Sequence, residues 1–368
     1  MVAEWETGKS SPTIDQLREL AAMYRRSLAV FFLDGPPTGF DTLRDFRRVA
    51  GSSSAAWSPA LHEEYRRAHL QRDHLLELLQ FEDEEPSGEW SSARPGPAVI
   101  MDEAFAAGIR DHLIEIAGRN PPLTDDRYKH ANFWLGAIED AGVLVLHTRR
   151  GDVPTSEMRA LSLCFDELPV ILLNGSDAIR GRLFSAVHEF VHLVLHVEGL
   201  CDLVTEQRST TPDVALEARC NSIAAAALMP AQVVRDSPLV RDVRATGRTW
   251  DYETLAEVAG PFGTSAEALL LRLVTLGLAD QTVYDQRRAE FHAAYEERER
   301  ASHTRGGNYY RNAVRDLGKG YVRRVASAHE RGVISSYTAA KYLDAKVSQV
   351  SKLAQAVGLK VGDTGGSR

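Results

Sequence analysis

The chain has few cysteines, no long apolar run and no overall excess of positive charge, and each absence excludes a class of protein. Its 368 residues include only three cysteines, Cys164, Cys201 and Cys220. They are too few for a disulfide scaffold, and their spacing does not fit a structural zinc knuckle. No run approaches the roughly 18 apolar residues of a membrane-spanning helix, and the N-terminus lacks the apolar segment of a secretion signal. We therefore expect a cytoplasmic protein.

The charge of the chain is unevenly distributed. A net charge of -8 argues against a protein that coats nucleic acid over its whole surface. Residues 303–368, however, contain twelve Lys or Arg against four Asp or Glu, so they carry +8 while the remainder carries -16. This basic region is a candidate contact surface for DNA, RNA or an acidic partner, and solvated helix faces have the same composition. The length allows two or three domains.

The most informative motif is an H-E-x-x-H sequence formed by His188, Glu189 and His192. It lies in an apolar run without Gly or Pro, which predicts a helix, and helical geometry places both histidines on one face. Such a pair can bind one zinc ion, while the glutamate between them acts as the general base. The alternative is a core helix whose histidines hydrogen-bond to backbone or carboxylates.

A catalytic zinc ion needs a third protein ligand, and the sequence narrows its source. The metzincin continuation is excluded because Leu195 and Glu198 occupy the positions of its required Gly and His. A gluzincin takes a Glu from a second helix, and Glu217 opens a stretch of small, helix-forming residues that ends at Pro230. The alternative for Glu217 is an ordinary surface carboxylate. Asn221 follows one turn later, where it could hydrogen-bond a metal-bound imidazole.

Two further residues near the motif have open roles. His196 continues the face of His188 and His192 by one more turn, so it either contacts substrate or an oxyanion, or supports the site as an orienting or capping histidine. Cys220 lies close to Glu217 in sequence, and it either binds the metal or packs as a small buried residue.

Several blocks together resemble the ImmA/IrrE family of metallopeptidases. Residues 182–196 are similar to the family signature R-F-x-x-A-H-E-x-x-H-x-x-L-H, and residues 217–230 are similar to E-x-x-A-N-x-F-A-A-x-L-L-M-P. Cys220 replaces the usual Ala and Ile223 the usual Phe, and both substitutions keep an apolar residue. The apolar segment at residues 169–174 also matches the order of elements in the family.

The order of elements and the resemblance imply an α+β fold, with a mostly helical zincin-like domain of the gluzincin type, a small sheet, and helical regions on both sides. The resemblance implies a zinc-dependent endopeptidase, with Mn²⁺ as another candidate metal, that cleaves a helix-turn-helix transcriptional repressor in a stress-response or mobile-element regulatory system. Relatives that regulate without cleavage leave an alternative, a non-catalytic metal-binding regulator or an antitoxin-like partner protein. A purely structural DNA-binding protein is a third class.

The sequence divides into four predicted regions: residues 1–35, 36–98, 99–280 and 281–368. The first resembles the second half of an XRE-type helix-turn-helix domain, through W-E-x-G-x-x-x-P-T. The second is a linker followed by a long helix and a loop, the third is the peptidase domain, and the fourth is the basic helical region. Within it, the stretch from Ile334 to Leu353 resembles another helix-turn-helix pattern, which serves either DNA contact or docking and dimerisation.

We also expect a substrate peptide to add a strand to the sheet. The candidate edge is the predicted strand segment from Val170 to Asn174.

Overall fold

The computed structural model describes residues 4–5, 7–24, 28–33, 35, 57–93, 102–197, 210–303 and 308–359. The described chain is mostly helical and contains one three-stranded sheet, so the predicted α+β class is confirmed. Residues 36–56 and 94–98 of the predicted linker and helix region, and residues 360–368 of the predicted basic region, lie outside the described residues. None of the described helices combines the length and the apolar character needed to cross a membrane.

The helices begin where the sequence offers capping side chains. Thr13, Ser58 and Asp126 each accept a hydrogen bond from a backbone N–H in the first turn of the helix that follows. The helices before and around the sheet are α1 (Ile14–Met23), α2 (Pro59–Phe81), α3 (Asp102–Ala117), α4 (Arg127–Asp140), α5 (Ile179–Val197) and α6 (Thr210–Leu228).

The remaining helices follow α6, and no further strand occurs among the described residues. They are α7 (Ala231–Asp236), α8 (Pro238–Thr246), α9 (Tyr252–Ala259), α10 (Ala266–Thr275), α11 (Gln281–His303), α12 (Tyr309–Leu317), α13 (Lys319–Glu330), α14 (Ser336–Tyr342) and α15 (Val347–Ala356). Short 3-10 helices cover Leu28–Phe32, Glu89–Ala93 and Gly260–Phe262.

The sheet has the strand order β1-β3-β2, with β1 at Leu144–His147, β2 at Ala160–Leu163 and β3 at Val170–Leu173. β3 pairs in parallel with β1 and antiparallel with β2. The prediction that Val170 to Asn174 forms an edge is therefore wrong, because β3 is the central strand. Its four residues are all buried, as expected for a strand with covered faces and two neighbours.

The two faces of the sheet belong to two different hydrophobic cores. Val145 and Ile171 face the first core, which contains residues of every helix from α3 to α11. Leu146 and Leu172 face a second core, which contains α2 and the C-terminal helices α12 to α15. The alternation follows from the period of two in a strand. The long helix α2, which belongs to the predicted linker region, thus packs with the C-terminal helices on the same face of the sheet.

The junction between α12 and α13 covers the β1 edge of the sheet. Gly318 lies there with φ +89°, and a Cβ on it would stand 2.6 Å from the carbonyl oxygen of Val145. This position requires glycine for both reasons. Both β1 and β2 are edge strands, and because the outer edge of β1 is covered at Gly318, β2 provides the candidate edge for a further strand.

The loop predicted from Glu82 to Pro97 is described as far as residue 93, and this part contains one short 3-10 helix. Trp90 lies in the short 3-10 helix and is buried, with 5% of its surface exposed. Its backbone N–H donates to the carbonyl oxygen of Ala141 at 2.7 Å. A single large aromatic residue therefore fixes an otherwise polar segment against the first core.

Candidate metal centre

Helix α5 positions the H-E-x-x-H motif. The carboxylate of Asp177 accepts the backbone N–H of Ala178 at 2.7 Å, next to the first turn of the helix. Further along, Phe190 and Val191 are fully buried in the first core. With these two side chains in the core, the face of α5 that carries His188 and His192 is directed towards α6.

Three of the predicted site residues come together between α5 and α6. His188 Nε2 lies 2.9 Å from His192 Nε2. Glu217 Oε2 lies 3.3 Å from His188 Nε2, and Glu217 Oε1 lies 3.5 Å from His192 Nε2. The ligand atoms of these three residues all lie within 4.8 Å of one another. Two buried imidazoles and a half-buried carboxylate thus face one common point.

The dimensions and chemistry of this group fit a zinc ion. Zinc bonds of about 2.0–2.2 Å in tetrahedral geometry separate two ligand atoms by about 3.3 Å, close to the 2.9, 3.3 and 3.5 Å found here. Two imidazole nitrogens and one carboxylate are also a donor set that zinc uses in catalytic sites, where a fourth position is left for water. The same donors can bind Mn²⁺.

Small residues on α6 bring Glu217 into reach of the histidines. Ala224 and Ala227 are fully buried in the first core, where their side chains allow close packing against neighbouring helices. In the middle of the same helix, Arg219 Nε forms a salt bridge with Asp102 Oδ1 of α3 at 3.0 Å. Helix α6, predicted from its small residues, therefore places the Glu217 carboxylate next to the two histidines.

Glu189 lies beside this group and contacts the sheet. Only 6% of its surface is exposed. Ser162 Oγ on the edge strand β2 donates a hydrogen bond to Glu189 Oε2 at 2.8 Å. Sequence reasoning did not identify Ser162, because nothing in its local sequence distinguishes it from any other strand serine.

The supporting residues differ from the expectation. Asn221 is exposed, and the residue that contacts an imidazole is Cys220, whose Sγ lies 3.2 Å from His192 Nδ1. Cys220 is fully buried, as expected for a packing residue, but it also forms this polar contact. His196 lies in the last turn of α5, and its side chain is outside the described part of the structure.

Comparison with known proteins identifies the region that contains these residues. Residues 138–274 match the family model described as the IrrE N-terminal-like domain, a model of a peptidase family. The matched range extends from the last turn of α4 into α10, so it includes the whole sheet and both site helices. A search of curated proteins gave no match. The chain therefore carries, at residues 138–274, a domain of the ImmA/IrrE family of metallopeptidases.

Proposed function

We propose that the protein is a zinc-dependent endopeptidase in which His188, His192 and Glu217 hold the metal. The observation that carries this proposal is the convergence of their three side chains, from two helices, on one point. A partly buried carboxylate beside two buried imidazoles is costly unless a cation compensates it. The family match supports peptidase activity independently of this geometry.

In this proposal Glu189 moves the proton. Zinc, when bound, lowers the pKa of a water molecule to about 7 and polarises the scissile carbonyl. Glu189 Oε2 is occupied by the Ser162 hydroxyl, which leaves Oε1 to accept the proton of the attacking water. The same carboxyl then delivers that proton to the departing amine, as a general base that turns into a general acid.

The substrate is a polypeptide that binds along β2. A peptide in extended form can pair with the outer edge of this strand through main-chain hydrogen bonds. Ser162 lies on β2 and contacts Glu189, so a peptide paired there runs past the proposed general base. The resemblance to ImmA/IrrE proteins suggests a helix-turn-helix repressor of a stress-response or mobile-element system as the substrate.

The basic C-terminal helices provide a secondary proposal, contact with DNA. The exposed lysines here are Lys341 on α14, Lys346 at the N-cap of α15 and Lys352 on α15. Part of the positive charge of α13 and its C-terminal end is neutralised within the chain, since Arg324 forms a salt bridge with Glu84 at 3.5 Å and Arg331 forms one with Glu82. Weak, salt-sensitive binding is therefore expected, and an electrophoretic shift with duplex DNA at two salt concentrations tests it.

The substitution Glu189→Gln separates catalysis from binding. We expect it to retain bound zinc while abolishing cleavage of a co-encoded repressor, because the amide cannot accept the proton. Glu115→Gln, at an exposed position far along α3, is the matched control and should cleave like the original chain. If Glu189→Gln leaves repressor control intact in cells, the alternative of a non-catalytic metal-binding regulator or antitoxin-like partner replaces this proposal.

A further inference from the structure

Helix α6 contacts both ring nitrogens of His192. Glu217 Oε1 lies 3.5 Å from Nε2, and Cys220 Sγ lies 3.2 Å from Nδ1. Glu217 and Cys220 are three residues apart on one helix, and such neighbours project in similar directions. The imidazole thus lies between them, with the carboxylate on its metal-facing side and the sulfur on its opposite side.

The proton on His192 follows from this arrangement. If Nε2 gives its lone pair to a metal, the neutral ring must carry its hydrogen on Nδ1. His192 is only 2% exposed and Cys220 is fully buried. Without an acceptor, the buried N–H would be unsatisfied and would penalise the metal-binding tautomer. The Cys220 sulfur is in position to accept that hydrogen.

We propose that Cys220 is a positioning residue that holds His192 in the tautomer and ring orientation needed for metal binding. The inference rests on the proposed zinc site and adds to it a residue that replaces the alanine of the family pattern. Metal-binding histidines usually donate their second N–H to a carboxylate, a backbone carbonyl or water. A thiol is a weaker acceptor, so Cys220 gives orientation with a weaker hydrogen bond.

The two histidines differ in this respect. His188 Nδ1 is buried, and no described residue forms a hydrogen bond with it. If both Nε2 atoms bind the metal, each neutral ring carries its hydrogen on Nδ1. That of His192 is directed at the Cys220 sulfur, whereas that of His188 meets no acceptor among the described residues.

The position of the Cys220 sulfur also shows that it orients His192 and does not bind the metal directly. Cys220 Sγ contacts the nitrogen on the far side of the ring from the one that faces Glu217 and His188. A sulfur there cannot share the point on which the three ligand atoms converge. Cys220 therefore acts on the metal through His192.

The test is zinc affinity of the full chain, measured by competition with a chelator of known affinity. Cys220→Ala and Cys220→Val remove the acceptor, and the Val variant keeps most of the buried volume. Both should bind zinc about tenfold more weakly or worse, as for other residues that orient metal ligands. Cys220→Ser retains an acceptor and should stay within about threefold of the original chain. Cys164→Ala, at an exposed cysteine, is the matched control and should not change affinity.

A second readout concerns the ring itself. Nitrogen NMR of the zinc-loaded chain should detect a slowly exchanging His192 Nδ1–H, and Cys220→Val should accelerate its exchange. If the original chain binds zinc and the Ala and Val variants bind equally well, the role of Cys220 is refuted and the zinc site stands. If the original chain binds no zinc, the proposed function fails together with the inference.

Discussion

Ser162 Oγ donates a hydrogen bond to Glu189 Oε2 at 2.8 Å, and it thereby joins the edge strand β2 to the acidic residue of the H-E-x-x-H motif. The strand that we propose to bind substrate and the carboxylate that we propose to move the proton are thus in direct contact. A shift of β2 on substrate binding would reach Glu189 through one hydrogen bond.

Removal of this hydroxyl should slow catalysis without removing the metal. Ser162→Ala frees one oxygen of Glu189 to rotate, and a hydrogen bond to a charged group stabilises by about 1.5–3 kcal/mol. We expect kcat to fall about tenfold, with KM and zinc content unchanged, since about 1.4 kcal/mol corresponds to a factor of ten in rate. Ser162→Thr keeps the hydroxyl and should restore most of the rate. Equal rates for the Ala variant and the original chain would show that the contact has no catalytic role.

A pH-dependent stability is expected from Glu139 on α4, which contacts the start of α13. Burial raises the pKa of Glu139 from its usual 4.5 to about 8, and the backbone N–H of Gly320 opposes this by donating to the carboxylate. Because the folded pKa is raised, the stabilisation from the bound proton is complete below about pH 4.5 and is lost as the pH rises through about 8.

Glu139→Gln carries no such proton and should remove this dependence. In chelator-treated samples, the melting temperature of the variant minus that of the original chain should increase between pH 5 and pH 9. Glu115→Gln, at an exposed site, should give a constant difference over the same range. A constant difference for Glu139→Gln as well would mean that Glu139 titrates normally.

The C-terminal region should depend on Tyr342 for its attachment to α2. Its ring stacks on His74 with centroids 3.9 Å apart, and its hydroxyl donates to Glu77. Burial, opposed in part by nearby acidic groups, lowers the pKa of His74, so this histidine stacks as a neutral ring. Tyr342→Ala should destabilise the chain by about 3–5 kcal/mol.

Chemical denaturation measures this effect, and the same helix offers a control. Tyr337→Ala removes a tyrosine that is 76% exposed, so it should change stability by less than about 0.5 kcal/mol. Similar stabilities for the two variants would contradict the view that residues 308–359 are anchored through α2.

The sequence was sufficient to predict the two helices that carry the proposed metal ligands, because their signals are local. The H-E-x-x-H spacing lies within one helix, and the apolar run around it has the length of a helix. The second helix was predictable from helix formers and a terminating proline, although the approach of Glu217 to His188 depends on packing between the two helices.

Features that depend on relative placement could not be derived. If Glu217 faces the metal, Cys220 and Asn221 project about 60° to one side and about 40° to the other. Only the rotation of α6 against α5 decides which of them meets His192. The strand order is likewise non-local, although four consecutive apolar residues in β3 were a sign that this strand is central. The contact of α2 with helices more than 200 residues later left no sequence signal.

The most direct test of the zinc site is an anomalous-scattering map, recorded at the zinc edge, from crystals of the zinc-treated chain. We predict one strong peak within about 2.0–2.2 Å of His188 Nε2, His192 Nε2 and a Glu217 carboxylate oxygen. No peak between α5 and α6, or a peak bound by other residues while Glu217 turns away, would contradict the account.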